Sequence, residues 1–273
     1  MGDRMRGRLG TRGKVAGIGV TAAAATAIAV ASCIPTTASA SPTKPAASTR
    51  AAAVAATSAR TAAAAPAVYT PPKRNLTEGM QGADVKALQQ RLAALKYYPG
   101  AADGQFGGNT LEAVWAFQEV NGINATGVVG SATKAALVHP RTYRPHNPGQ
   151  NATRVEVNLT MRVLVLFKNR QIALISHVST GGGYYYCSNG GCAYAITPTG
   201  TYHTTVYMPG WIKVPLGEMY NSVFFIGTAY AIHGDTYVPV YPASHGCVRI
   251  PMFIANFFHN LIKTPGTEVI IFK

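Results

Sequence analysis

The sequence predicts an α+β multidomain protein, a small three-helix module followed by a mostly-β sandwich or partly open barrel. Three observations carry that expectation. Over residues 76–138 apolar side chains recur at three- and four-residue steps, as on amphipathic helices. From residue 153 onward the period switches to β-branched runs bounded by turn residues. Between the two textures lies a Pro-rich connector, "HPRTYRPHNPGQNA". The 273 residues leave room for two modest domains, at about 150 residues per domain. Much of the 48% hydrophobic content is alanine in the first 67 residues, where it implies no core.

Residues 1–40 open with Arg4, Arg6, Arg8, Arg12 and Lys14, continue with an apolar run over 15–31, and end on the small residues Ala38, Ser39 and Ala40. This is the pattern of a signal peptide on a secreted protein. Two other readings stay open: a membrane anchor, and lipidation of Cys33, since "VASC" resembles a bacterial lipobox. All three send the chain out of the cytoplasm, to the cell wall or a periplasm-equivalent space. Residues 41–74 are Ala, Pro, Ser and Thr with scattered bases and no acid, a linker that reaches about 110 Å when fully extended. The formal charge is +14, and without residues 1–40 it is still +10. Since no basic cluster interleaves with stacking aromatics, the charge points to an anionic envelope polymer or membrane surface rather than nucleic acid, with general surface charge and no partner as the other reading.

The helical module is assigned to 75–139. Val85, Leu88, Leu92 and Leu95 form the first apolar stripe. "DGQFGGNT" then turns the chain, with Asn109 expected as N-cap and Glu112 at N3 of a second helix that buries Leu111, Val114, Trp115 and Phe117. "TGVVGSATKAAL" repeats the device, with Ser131 capping a short third helix. Together with "GADVKALQQRL", these motifs resemble the peptidoglycan-binding domain type 1 family. The resemblance implies binding to the peptidoglycan glycan and stem peptides.

After the connector, 140–152, the second domain spans 153–273. "RVEVNLTMRVLVLF" and "QIALISHVST" read as strands joined across "KNR". "TGTYHTTVYM", "SVFFIGTAYAIHG" and "TEVIIFK" add further strands, and "PMFIANFFHNLI" is the one helix. Cys187 and Cys192 flank "SNGG", a turn composition suited to a small disulfide in an oxidising compartment, with a zinc half-site as the other reading. The Tyr-rich stretch around them is a candidate lid or acceptor-site wall of a cleft, with an ordinary stapled surface loop as the other reading.

Cys247 is then left unpaired, and reactivity is one explanation for an odd thiol in an exported protein. His233 ends an apolar strand in "AIHGD", and Cys247 follows a turn in "SHGC", so the intervening loop brings the two together. An adjacent imidazole activates a thiol by taking its proton. Gly246 lets a substrate carbonyl approach the backbone N–H groups that would form an oxyanion hole. Ser244, His245 and Arg249 surround the thiol with polar or cationic groups. His233, His245 and Cys247 are also three donors that could hold zinc.

"IHGD" and "YPASHGCVRIP", preceded by "VSTGGG" and "TPTGTYH", resemble the L,D-transpeptidase catalytic domain family. The signature falls on His233, Gly234, Ser244, His245, Gly246, Cys247, Val248 and Arg249. What the resemblance implies is an exported cysteine acyltransferase of peptidoglycan biosynthesis, acting in cell-wall organisation and cell shape. Cys247 would attack the carbonyl before D-Ala of a stem tetrapeptide and give 3→3 cross-links. Cys247, His233, His245 and Gly246 are then the expected catalytic set, and Ser244, Arg249, Gly234 and Tyr241 the expected substrate contacts. The resemblance implies acylation by carbapenems and no metal or organic cofactor. Only ten residues separate His233 from Ser244, fewer than the family usually has, which keeps open an L,D-carboxypeptidase or attachment of an envelope protein to the wall. A noncatalytic wall-binding protein and a zinc amidase or peptidase are the readings from other classes.

Overall fold

The structure, a computed structural model, describes residues 69–147, 151–188 and 190–273. The expected signal peptide, Cys33 and most of the linker lie outside these residues.

The module has three helices, α1 (Ala83–Ala94), α2 (Gly108–Asn121) and α3 (Ser131–Val138). The stripe places Val85, Leu88 and Leu92 in its core with Val114 and Phe117. The expected caps differ. Gly107 and Gly130 occupy the N-cap positions of α2 and α3 with no side-chain cap, so Asn109 and Ser131 sit just inside their helices. Buried amides do the joining instead: Gln89 Nε2 donates to Asp103 Oδ1 and Thr110 Oγ1, and Gln118 Nε2 to Val128 O and Thr133 Oγ1. The last residues assigned to the linker by composition are docked on α1. Arg74 makes two hydrogen bonds to Asp84, at 2.7 and 3.0 Å, and Arg91 lies over the Tyr69 ring.

The second domain is a two-sheet sandwich. One sheet has the order β3-β2-β1-β11-β6, from β1 (Arg154–Asn158), β2 (Val163–Lys168), β3 (Gln171–His177), β6 (Gly200–His203) and β11 (Glu268–Phe272). The other runs β10-β9-β8-β7, from β7 (Tyr207–Val214), β8 (Gly217–Ile226), β9 (Tyr230–Asp235) and β10 (Val248–Pro251). A separate hairpin joins β4 (Tyr185–Ser188) to β5 (Gly191–Tyr194), with the Cys187–Cys192 disulfide formed across it. The helix expected at "PMFIANFFHNLI" is α4 (Met252–Leu261). The mixed α+β class and its order, helices first and strands after, are as the sequence predicts.

Strand alternation sorts the side chains. Val155, Val157, Leu164 and Leu166 point into the sandwich with Ile232, Val248, Ile254 and Phe258. On the opposite face of the five-stranded sheet, Val163, Val165, Phe167 and Ile175 belong to the same core as Leu88, Leu92 and Phe117 of the module. The connector is held on that face too. Glu156 accepts from Tyr143 Oη (3.1 Å), the His146 backbone N–H (2.9 Å) and Arg154 Nε (2.8 Å), and the Arg154 guanidinium stacks 4.0 Å from the Phe167 ring centre.

Candidate active site

β9 and β10 are parallel neighbours, with Ile232 beside Val248 and His233 beside Arg249. Ile232 and Val248 point into the sandwich, so by alternation Ala231, His233, Cys247 and Arg249 share the other face. Cys247 therefore stands beside Ala231, one diagonal step from His233. Both side chains line the same cleft.

That face is the floor of a cleft of about 530 Å³. One wall is the disulfide hairpin, through Tyr186, Ser188 and Cys192; the other is formed by the β7–β8 turn, residues 214–219, and by residues 228–230. The Tyr-rich insertion thus does line the cleft. Met219 was not foreseen: its Sδ lies 4.0 Å from Cys247 Sγ, and an isolated Met in an apolar strand carries no signal that separates it from core.

Among the described residues, Cys247 is the cysteine outside a disulfide. Burial pushes its thiol up, opposed by the Ala231 backbone N–H and the Arg249 charge. Burial pushes His233 down, opposed by its hydrogen bond to Gly234 and by Asp235. At neutral pH the two groups are therefore an uncharged thiol and an uncharged imidazole. His233 Nδ1 lies 2.9 Å from the Gly234 carbonyl, which can only accept, so Nδ1 carries the proton and Nε2 the lone pair.

Gly246 has φ +142°, and a Cβ there would meet Tyr230 Cε1 at 2.6 Å and the Ile196 carbonyl at 2.7 Å. Thr197 Oγ1 accepts from Gly181 N (2.9 Å) and donates to Gly246 O (2.7 Å). Ser244 Oγ accepts from Gly246 N (3.0 Å) and donates to Cys247 O (2.6 Å). The Gly246 N–H is thus engaged within the turn.

The expected substrate contacts separate. Ser244 lines the cleft but is buried, and its hydroxyl is engaged in the turn. Gly234 is a packing glycine: a Cβ would come 2.7 Å from Ala255 Cβ of α4. Tyr241 is exposed, its hydroxyl 2.6 Å from that of Tyr237, and it lies outside the lining of the cleft. Arg249 does line the cleft, with Nε 3.1 Å from Asp235 Oδ2. The angle there is outside hydrogen bonding, so the contact is Coulombic. His245 also lines the cleft, its ring edge-on to Tyr186 (4.7 Å) and Tyr184 (5.6 Å), with burial and Arg249 pushing its proton affinity down. Among the described residues, no group of three or more His, Cys, Asp or Glu side chains is arranged to hold a metal ion.

Known proteins place this architecture in a class, the cell-wall enzymes that join a wall-binding module to a catalytic domain. Residues 81–137 match the family described as "Putative peptidoglycan binding domain", and residues 152–271 match the L,D-transpeptidase catalytic domain. The chain belongs to the L,D-transpeptidase family. It is 35% identical to the crystal structure of an L,D-transpeptidase from Xylanimonas cellulosilytica, with a TM-score of 0.69 over 74% of this chain and 100% of that one. It is also similar to an N-acetylmuramoyl-L-alanine amidase of Bacillus licheniformis, at 42% identity over 64 residues, 21% of this chain and 18% of the amidase. A zinc D-Ala-D-Ala carboxypeptidase of Streptomyces albus G is 46% identical over 63 residues, 21% of this chain and 24% of the carboxypeptidase. The chain thus covers less than a quarter of either curated relative.

Proposed function

We propose that the protein is an exported peptidoglycan L,D-transpeptidase working through a Cys247 acyl-enzyme. The observation that carries the reading is a thiol outside any disulfide, immediately before β10, and a buried, singly protonated imidazole on the neighbouring parallel strand β9, both lining one cleft. As Sγ attacks the carbonyl carbon before D-Ala, His233 Nε2 takes the thiol proton. The tetrahedral oxyanion is held by backbone donors of the nucleophile turn. With Gly246 N–H engaged, the Cys247 N–H is the main candidate. The C–N bond then breaks, His233 returns the proton to the D-Ala amine, and a thioester remains. A side-chain amine of a neighbouring stem attacks the thioester, His233 takes the amine proton, and the thiolate leaves and is reprotonated. The product is a 3→3 cross-link. Were water the acceptor, the same site would be an L,D-carboxypeptidase. Arg249 and His245, which line the cleft, are proposed substrate contacts. The basic and apolar N-terminal segment supports export, and the module supports retention at the wall.

The test is intact mass after incubation with a carbapenem, alongside Cys247→Ala, followed by digestion of tetrapeptide-bearing muropeptides. One adduct per chain, absent from Cys247→Ala, and muropeptide dimers lacking one D-Ala are the expected results. No adduct on a folded protein with a free thiol would sink the transpeptidase reading.

A further inference from the structure

The wall-binding module and the nucleophile loop are joined by a buried relay that the proposed reaction does not use. Glu119, on α2 of the module, places Oε2 2.9 Å from His177 Nδ1 at the end of β3, and both side chains are almost fully buried. His177 Nε2 lies 3.2 Å from the carbonyls of both Val238 and Pro239, in the loop between the His233 strand and the Cys247 turn. Carbonyls only accept, so Nε2 carries a hydrogen. Nδ1 and Glu119 then share a further proton, which either partner can hold. Arg162, between β1 and β2, pairs with the other carboxylate oxygen at 3.3 Å, and Trp115 of α2 packs edge-on to the imidazole at 5.5 Å.

Beyond His177 the same segment is zipped to the nucleophile loop. Ser179 Oγ donates to Tyr241 O (2.8 Å) and accepts from Ala243 N (3.1 Å). Ser244 N donates to Thr180 O (2.9 Å), and Gly182 N donates to Ser244 O (2.9 Å). With ten residues between His233 and Ser244, slack at Val238 and Pro239 has little chain in which to dissipate before Cys247.

We propose that Glu119 and His177 are positioning residues, through which the peptidoglycan-binding module holds the loop that sets Cys247 against His233. The module on this account is part of the catalytic machinery as well as a tether. Activity of the acyl-enzyme depends on the reading above, but the hold on the loop does not.

The experiment uses the full chain and two readouts: hydrogen exchange of peptides covering residues 236–247, and the rate of Cys247 acylation by imipenem. Glu119→Ala is expected to speed exchange there at least tenfold and to slow acylation at least fivefold. Glu119→Gln should restore both, because its amide donates to Nδ1 and its carbonyl accepts from Arg162. Leu137→Ala, a cavity in the module core on α3, should leave both within twofold. If Glu119→Ala fails to fold, His177→Phe fills the same space without either hydrogen bond and is read the same way. Unchanged exchange, or Leu137→Ala matching Glu119→Ala, overturns the proposal. Faster exchange with unaltered acylation overturns the positioning of the thiol. Absence of any imipenem adduct on the unaltered chain counts against the transpeptidase reading alone, and exchange then decides the hold on the loop.

Discussion

Gly246 shows how one residue without a side chain sets the reactive geometry. Its φ of +142° is open to glycine and strained for other residues, and Tyr230 and Ile196 close off the space where a Cβ would go. Gly246→Ala is expected to cost about 1–3 kcal/mol of stability from backbone strain. It should also slow acylation of Cys247 about a hundredfold, since small misplacements of reacting groups have effects of that size. Denaturant unfolding and a mass-resolved acylation time course measure the two, and an alanine variant acylated at the original rate would show that the turn is dispensable. The electrostatics of the pair give a pH prediction. Burial holds His233 below its ordinary range and the thiol above its own, so acylation needs neutral His233 and no preformed thiolate. The acid limb of the rate should fall below about pH 6.5 and be followed by a plateau through about pH 8. The stability sign is consistent: between the depressed folded value of His233 and about 6.5 the unfolded chain binds more protons, so stability from this group is lost as pH falls through that window. An acid limb above 6.5 would mean that a different base, or an ion pair, does the work.

The elements around the site differ in how far they follow from sequence. The apolar run ending in His233 and the turn before Cys247 are legible in the sequence, but β10 is not, and only the parallel register of β9 and β10 puts both side chains on one face. Ser244 and Tyr241 were not assignable, because a hydroxyl's role depends on which backbone groups fold beside it. Ser244 closes a turn, and Tyr241 pairs with Tyr237 away from the cleft. The helix caps failed for a related reason: Asn109 and Ser131 are good capping types, yet the glycines before them take the cap position. The β4–β5 hairpin carries its own prediction. It is a two-stranded unit with mostly exposed residues, and such units are marginal without extra support. Its disulfide spans a sequence separation of 5, and a loop that short contributes about 2 kcal/mol, felt locally. The double variant Cys187→Ser, Cys192→Ser should leave the melting temperature of the whole within about 2 °C, since the hairpin lies outside both main cores. It should raise KM for a stem-peptide donor several-fold, because Tyr186 and Ala193 line the cleft. Alkylation of Cys247 by a small reagent should not slow. A donor KM equal to that of the unaltered protein would show that this wall does not touch substrate.

For the described molecule as a whole, the Pro-rich connector reads in sequence as a break between two domains, and the packing across it could be sensed only indirectly. The hint lies in "VLVLF" of β2, a continuous apolar run instead of an alternating one, as expected of a strand covered on both faces. What covers the second face is settled by distant residues, and no local pattern names them. Glu119 and His177 are 58 positions apart, and on sequence alone Glu119 looks like any charge on a helix. The shared core makes the cooperativity of unfolding a sharp question. Val163, Val165, Phe167 and Ile175 are each at most 4% exposed and pack in one core with module residues. Burying such a side chain contributes about 1.5–3 kcal/mol, so uncovering all four costs on the order of 6–12 kcal/mol. That is comparable to the whole stability of an ordinary domain, about 5–15 kcal/mol. The module and sandwich are therefore expected to melt in one calorimetric transition with matching calorimetric and van't Hoff enthalpies. A chain cut to residues 151–273 should lose cooperative unfolding or aggregate through the bared sheet face. Two separate transitions, or a truncated sandwich that melts where the full chain does, would show that the module only rests on the sheet, and the hold of Glu119 on the nucleophile loop would then lack the rigid support it needs.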